Sequence, residues 1–481
     1  MPNHRFSFYV VMRFVVCALL SLSMTGCAVG PDYHRPKPEM PDKWSEAIEP
    51  VEVPGAPGIV DITRWWSLFN DEKLTSLVER AVESNKDLRV ASAKLREARA
   101  QRVVVASGAY PYVETANSYT RSRDSENASS TPGLESDLFL VGFDASWEID
   151  VFGGIRRSIE AADADVGASV ESRRDVLITV LAEVARAYLD VRGNQYRLKI
   201  ARENIVTQQK TLELTVARFD AGLSSELNVA QARAQLANTE TQVPLLESRI
   251  RQGIYELGVL LGQRPEDVVD ELIAEAPVPP VPPQVPVGLP SELLRRRPDI
   301  RQCEKQLAAA TARIGVATAQ LFPSFSLTGS LGTASVDVSS VFSYGSRTWS
   351  VGPTITWPIF DAGKIRATVK AQTARQEQAL ALYEKAVLTA LSDVESALIA
   401  YVKEQERNRS LVVAVNANQR AFDIGDELYS KGLVDFLNVL DSQRALYTSQ
   451  DSLAQSTTTI STNLVALFKS LGGGWAVPVA E

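Results

Sequence analysis

The sequence predicts a mixed α/β membrane protein of two structural repeats, each joining a β-hairpin to very long coiled-coil helices. Three observations carry that prediction. The chain restates its landmarks at an offset of about 210 residues. Long proline-free stretches keep helical spacing of apolar residues. Short runs alternate apolar and polar residues at the length of a tilted outer-membrane strand.

The first element, residues 1–26, reads as an export signal. His4, Arg5 and Arg13 precede the apolar run Phe14 to Leu22, which ends in Ser23-Met24-Thr25-Gly26-Cys27. A basic start, a short apolar run and small residues at its end describe a secretory leader too short for a stable span. The region before the apolar run is long, so Met12 is an alternative start to Met1. Cys27 directly after Gly26 resembles the lipobox of bacterial lipoproteins, although Met24 stands where Leu is usual. That resemblance implies a signal peptide ending at residue 26, Cys27 acylated as the first mature residue, and Ala28 directing it to the outer membrane. Several acyl chains together bury enough CH₂ groups to hold a protein to a leaflet. Residues 27–62, with Pro31, Pro36, Pro38, Pro41, Pro50, Pro54 and Pro57, are expected to be extended.

Two repeats follow, at 63–276 and 291–475, around a proline-rich linker at 277–290. Phe219-Asp220-Ala221-Gly222-Leu223 and Leu227-Asn228-Val229 recur 210 residues later as Tyr429-Ser430-Lys431-Gly432-Leu433 and Leu437-Asn438-Val439. Trp147 recurs as Trp357 at the same offset, and Tyr110-Pro111 as Phe322-Pro323 at 212. Each repeat is expected to run helix, strand, strand, very long helix, turn, long helix. Strands are expected at about 110–121 and 138–148, then 323–333 and 348–357. Long helices are expected at about 154–219 and 225–262, then 362–430 and 435–470. At 1.5 Å per residue the longest would reach about 100 Å, which suggests a coiled-coil body.

The strands alternate with period two. Phe139, Val141, Phe143, Ala145 and Trp147 take turns with Leu140, Gly142, Asp144, Ser146 and Glu148. Tryptophans stand at run ends, where an interfacial belt would place them. Four strands cannot close a barrel, and open edges in lipid leave backbone groups without partners. A membrane reading therefore demands association of copies. Three chains would supply twelve strands.

Composition excludes more than it proposes. With 58 acidic against 50 basic residues, the 481-residue chain lacks the balance that phosphate binding favours, so nucleic acid is not an expected partner. Its two histidines, His4 and His34, leave little from which to build a multi-histidine metal site or a nucleophilic triad. Beyond Cys17 and Cys27 the body holds Cys303 alone, so no internal disulfide framework is expected. No phosphate-cradling glycine loop or nucleophile elbow is present. The expectation is a protein that is not an enzyme and takes no cofactor.

Together these landmarks resemble the TolC-like outer membrane factors, in particular the OprM/NodT-type efflux lipoproteins. The resemblance covers essentially the whole mature chain. It rests on Trp65-Trp66, Phe69, Asp71, Leu74, Asn85 and Asp87-Leu88, and on the duplicated Gly-Leu…Leu-Asn-Val segments. Arg295-Arg296-Arg297-Pro298-Asp299-Ile300, Phe322-Pro323, Asp361-Ala362-Gly363 and Leu471-Gly472-Gly473-Gly474-Trp475 complete it. It implies a lipid-anchored homotrimer in the outer membrane of a Gram-negative bacterium, with a twelve-stranded barrel and a periplasmic α-helical tunnel. The implied function is a passive exit channel for small molecules. Its implied partners are a periplasmic adaptor (membrane fusion) protein and an inner-membrane pump of RND type.

The resemblance also assigns roles. Gly222, Leu223 and Ser224, with Gly432, Leu433 and Val434, look like the helix tips that meet the adaptor. Glycine there permits a left-handed turn, and the adjacent leucine offers an apolar anchor. Asp423 and Asp426, three residues apart on one helical face, look like the acidic constriction of the pore. Two other readings stay open at this stage: a type I protein-secretion duct, and a non-conducting coiled-coil lipoprotein.

Overall fold

The structure, a computed structural model, describes residues 28–45, 62–127, 130, 132–281 and 290–476. The expected leader at 1–26, Cys27, residues 46–61 and the 282–289 part of the linker lie outside the described residues. In chain order the main helices are α1 (Glu72–Ser84), α2 (Lys86–Ser107), α3 (Gly154–Asp220), α4 (Glu226–Glu240), α5 (Gln242–Leu260), α6 (Pro298–Ala319), α7 (Lys364–Ser430) and α8 (Phe436–Ser470). The strands are β1 (Tyr112–Arg123), β2 (Glu135–Ile149), β3 (Ser324–Ser335) and β4 (Arg347–Thr356). No helix among the described residues is long and apolar enough to cross a membrane.

Two compact units form, and both sequence repeats contribute to each. One combines the N-terminal segment to Lys37 with Lys94–Val170 and Gln302–Glu384; the other combines Pro38–Ala93, Glu171–Arg301 and Lys385–Glu481. Compactness thus cuts across the repeat boundaries.

The first unit holds the sheet. Its four strands are antiparallel in the order β1-β2-β3-β4, so the hairpins of the two repeats join through β2 and β3. Phe143 lies opposite Leu331, and Gly142 opposite Gly332. A Cβ on Gly142 would stand 2.8 Å from the Leu331 carbonyl oxygen, so the two backbones approach closely only because this rung carries no side chains. At its foot each hairpin is tied to its own repeat. Trp147 Nε1 donates to the Ala109 carbonyl (3.0 Å), and Trp357 Nε1 to the Leu321 carbonyl (3.1 Å). Asp150 then accepts from the amides of Ile155 (3.1 Å) and Arg156 (2.9 Å), capping α3. Asp361 caps α7 through Gly363 (2.9 Å) and Ile365 (2.8 Å), and those amides hold its carboxyl below the usual range.

The second unit is helical, and several residues that carry the resemblance lie in its core. Trp65, Phe69, Leu74, Leu77, Val78 and Ala81 are fully buried or nearly so, and Trp65 stacks on Phe468 at 5.4 Å. Asp71 caps α1 through the Leu74 amide (2.8 Å), while its other oxygen accepts from Tyr188 Oη (2.8 Å). Asn85 separates α1 from α2. Its Oδ1 accepts from the amides of Asp87 and Leu88, and its Nδ2 donates to the Leu260 carbonyl. Near the C-terminus, Trp475 donates to the Arg296 carbonyl (3.1 Å) and lies under the guanidinium groups of Arg174 and Arg301. Both arginines pair with Glu171 at 2.7 Å. Glu171 is almost fully buried, and such a carboxylate needs these two charges around it.

One expected helix is corrected. The stretch 225–262 is two helices that part at Thr241, not one. Pro244 is the cause. It has no amide to donate, and its ring collides with the carbonyl four residues earlier, at Glu240, where α4 stops. The apolar spacing continues on both sides of the break, which hides it from a reading of periodicity alone.

Candidate functional site

The two expected tips are built by one backbone device. The Gly222 amide donates to the Phe219 carbonyl (2.8 Å), and the Leu223 amide to the Arg218 carbonyl (2.8 Å). The Gly432 amide donates to the Tyr429 carbonyl, and the Leu433 amide to the Leu428 carbonyl, both at 2.9 Å. This pair of bonds is the Schellman termination, which needs a left-handed residue at its glycine position. Gly222 has φ +73° and Gly432 φ +76°. Leu223 is 70% exposed and Leu433 67%. Ser224 Oγ takes a hydrogen bond from Asn228 Nδ2 (3.0 Å).

Beneath that shared backbone the two turns differ. The second rests on a cluster of Phe422, Tyr429, Phe436, Val439, Leu440 and Leu446, with Ala232 from α4, and Val434 packs against it. The first has Phe219, 41% exposed, where the second has buried Tyr429, and Glu226 where the second has buried Phe436. Arg218, unremarked in the sequence, links the two. Its Nη1 donates to the Tyr429 carbonyl, and its guanidinium lies 4.6 Å from the centre of the Tyr429 ring. Tyr429 Oη in turn donates to Thr215 Oγ1 at 3.4 Å. The signal available beforehand was a mismatch between repeats: position 218 is Arg where position 428 is Leu.

Asp423 and Asp426 lie on α7, within three turns of Gly432. Asp423 is exposed and accepts from Gln419 Nε2 at 2.9 Å, whereas Asp426 is half-buried. Burial, and then the charge of Asp423, push the Asp426 carboxyl above the usual range. The pair is brought together on one face, as the spacing of three predicts.

The sheet is the other candidate surface. Its register puts Phe139, Val141, Phe143 and Ala145 on one face with Leu327, Leu331, Trp349, Val351 and Ile355. Glu114, Asp144, Ser326, Thr328, Ser330, Ser350 and Thr354 share the opposite face. An apolar and a polar face on strands of 10 to 15 residues match a wall between lipid and water. Among the described residues, the outer edges of β1 and β4 have no strand partner.

The described chain begins beside this sheet. Ala28 packs so closely on Gly153, φ +78°, that a Cβ there would lie 2.6 Å from its Cα. The Val29 amide donates to the Phe152 carbonyl (3.1 Å). Arg157, nearly buried, donates to Asp32 (2.6 Å), Glu160 (2.7 Å) and the Val29 carbonyl (3.3 Å). Cys27 itself lies outside the described residues.

The sequence profile described as "Outer membrane efflux protein" matches residues 77–263 and 289–473, one segment in each repeat. Among characterised relatives, the probable efflux pump outer membrane protein TtgC of Pseudomonas putida is 33% identical over 466 residues, covering 95% of this chain and 96% of that protein. The solved structure of the outer-membrane channel OprN superposes with a TM-score of 0.87 at 39% identity, covering 93% of this chain and all of that one. The open state of the outer membrane channel MtrE of Neisseria gonorrhoeae gives 0.83 at 29% identity, covering 93% and 99%.

Proposed function

From the premise that the chain belongs to the outer membrane efflux protein family, we propose that it is the exit duct of a three-part pump, working as a homotrimer. It is an outer-membrane efflux channel of TolC-like fold. Small molecules, drugs and toxic solutes among them, would pass through a water-filled passage, driven by an inner-membrane pump of RND type. The single observation that carries this is the sheet: one apolar face, one polar face and, among the described residues, two unpaired edges. A lone four-stranded sheet in lipid would strand backbone groups at both edges, and three copies remove every edge.

The turns at Gly222-Leu223-Ser224 and Gly432-Leu433-Val434 would receive the periplasmic adaptor, with the exposed leucines as anchors. Three copies of Asp423 and Asp426 would ring the passage and favour cations. Acyl groups on Cys27 would anchor the chain. Ala28 rests against Gly153, between the end of β2 and the start of α3, a position that supports attachment at the periplasmic foot of the strands.

In-cell photo-crosslinking from Ser224 and Val434, read by mass spectrometry, tests the reading. The expected capture is a periplasmic adaptor from both positions, with acyl mass on the Cys27 peptide in the same digest. Capture of only further copies of this chain would overturn adaptor docking, and an unmodified Cys27 would remove the anchor.

A further inference from the structure

β1 and β3 rise from α2 and α6, and β2 and β4 return to α3 and α7, so the loop 336–346 between β3 and β4 stands at the end of the sheet away from the helices. Hydroxyl groups fix its shape. Ser335 Oγ and Ser340 Oγ share a hydrogen bond (2.6 Å), and Ser346 Oγ donates to the Ser340 carbonyl (2.7 Å). Asp337 accepts from the Ser339 amide (2.8 Å). Ser335 pairs with Phe139, so its hydroxyl lies on the apolar face of the sheet, and the bond to Ser340 holds the loop onto that face. This folding leaves much of the loop's apolar surface uncovered: Val341 is buried, but Val338 is exposed and Phe342 is 84% exposed. Val338, Val341 and Phe342 line one side of a cavity of about 330 Å³, and strand positions 117–119 and 139–141 line the other. Sites for small ligands span ~300–1,000 Å³.

The same face bears a cation. Thr333 pairs with both Val141 and Arg347, which puts Arg347 on the apolar face, two strands from Val141 or about 10 Å. The other arginines at this end are neutralised. Arg121 meets Glu135 at 2.8 Å, and Arg123 meets Glu126 at 3.1 Å. Among the described residues Arg347 meets no carboxylate within 4 Å; its guanidinium lies 4.4 Å from the centre of the Tyr344 ring. Tyr344 is 81% exposed, and Trp349, next on that face, 75%. We infer that this surface binds one phosphorylated glycolipid of the outer leaflet, of the lipid A class, with an acyl chain in the cavity and a phosphate on Arg347. The inference rests on the orientation proposed above, with the strand foot in the periplasm, and adds the site and its ligand.

Three physical arguments choose this ligand. First, the apolar face of a sheet in the outer membrane meets hydrocarbon, so an apolar loop fixed onto that face prolongs a lipid contact. Second, exposed aromatic rings at the end of a membrane strand belong at headgroup level, and Tyr344 and Trp349 stand there beside Arg347. Third, the planar fork of a guanidinium matches a phosphate and sheds water more readily than an ammonium, and stacking on Tyr344 holds it in place. An apolar cavity and a separate cation on one face suit an amphiphile with a charged head. Free phosphate would leave the cavity empty.

Two measurements on the full-length protein test it. In the first, benzoylphenylalanine replaces Phe342 and intact outer membranes are irradiated; the expected adduct has the mass of lipid A. Glycerophospholipid adducts alone would put the loop in the inner leaflet and overturn both the site and the orientation beneath it. Protein adducts alone would overturn the lipid and leave that orientation standing. In the second, the detergent-solubilised protein is titrated with lipid A, with dephosphorylated lipid A and with inorganic phosphate, and bound mass is counted by native mass spectrometry. Saturation at one lipid A per chain is expected. Arg347→Gln should weaken it about tenfold, as loss of one charged hydrogen-bonding partner does, and dephosphorylated lipid A should bind the wild type about as weakly. Phe342→Ser should weaken both lipids. Uptake without saturation, alike in wild type and Arg347→Gln, would mean bulk lipid only and overturn the site. Displacement of lipid A by inorganic phosphate would overturn the acyl half of the inference. Both substituted side chains are exposed, so the fold does not depend on them.

Discussion

The turn at Ala221–Ser225 and the turn at Lys431–Asp435 share one backbone and differ in what supports them. Each closes with the same two amide-to-carbonyl bonds around a left-handed glycine, and each leaves a leucine standing in solvent. Under the second lie the buried rings of Tyr429 and Phe436; under the first there is no equivalent, and Phe219 is partly in solvent. The difference teaches that hydrogen bonds set the form of a turn, while side-chain burial sets how firmly it is held.

The largest expected effect attacks the firm side of this comparison. Phe436→Ala should cost about 3–5 kcal/mol, as loss of a buried ring does, whereas Glu226→Ala, its repeat counterpart, should stay within about 0.5 kcal/mol. Hydrogen exchange across 428–440 against 218–230 reads both, and equal loss of protection in the two variants would sink the distinction.

Next come the glycines, which test the shared part. An L-residue in the left-handed region costs about 1–2 kcal/mol, so Gly222→Ala and Gly432→Ala should destabilise their turns alike. A new methyl at 222 meets nothing within 4 Å, and one at 432 meets only the guanidinium of Arg218, at 3.4 Å. A clear inequality in thermal unfolding would mean that packing, not φ, dominates at these positions.

The smallest effect is electrostatic and belongs to the second turn, since the counterpart of Asp426 in repeat one is Val216. With its carboxyl raised by burial and by Asp423, the folded tip holds a proton that the unfolded chain has already released. Stability contributed there is lost as pH rises from about 3.9, the ordinary aspartate value, through the raised one, and returns on acidification. Asp426→Asn should flatten that slope in the exchange of 422–434 and leave 212–224 untouched. An unchanged slope would clear Asp426 of the effect.

Much of this architecture was legible beforehand, for identifiable reasons. Strand alternation shows because one face of the sheet is apolar, so every second residue from Phe139 to Trp147 carries the pattern. Turn positions show because only glycine enters the left-handed region cheaply, and Gly222 and Gly432 recur at one offset. The division at Thr241 was missed because periodicity runs through it, although Pro244 stood in plain view. Arg218 was missed because a lone arginine on a helix reads as solvated. Only folding brings the Tyr429 ring and carbonyl to it.

By itself, then, the sequence determined most of the elements: two repeats, four strands, the three long helices α3, α7 and α8, and the glycine turns. These depend on local conformation and on periodicity, which the chain carries residue by residue. What tertiary structure alone decided is how the repeats differ and how they join. Phe219 and Tyr429 are near-equivalent letters with opposite burial, because burial belongs to the neighbours that arrive from distant segments. The β2–β3 register likewise exists only once both hairpins lie in one sheet, since hydrogen-bond pairing is a property of two strands and not of either sequence.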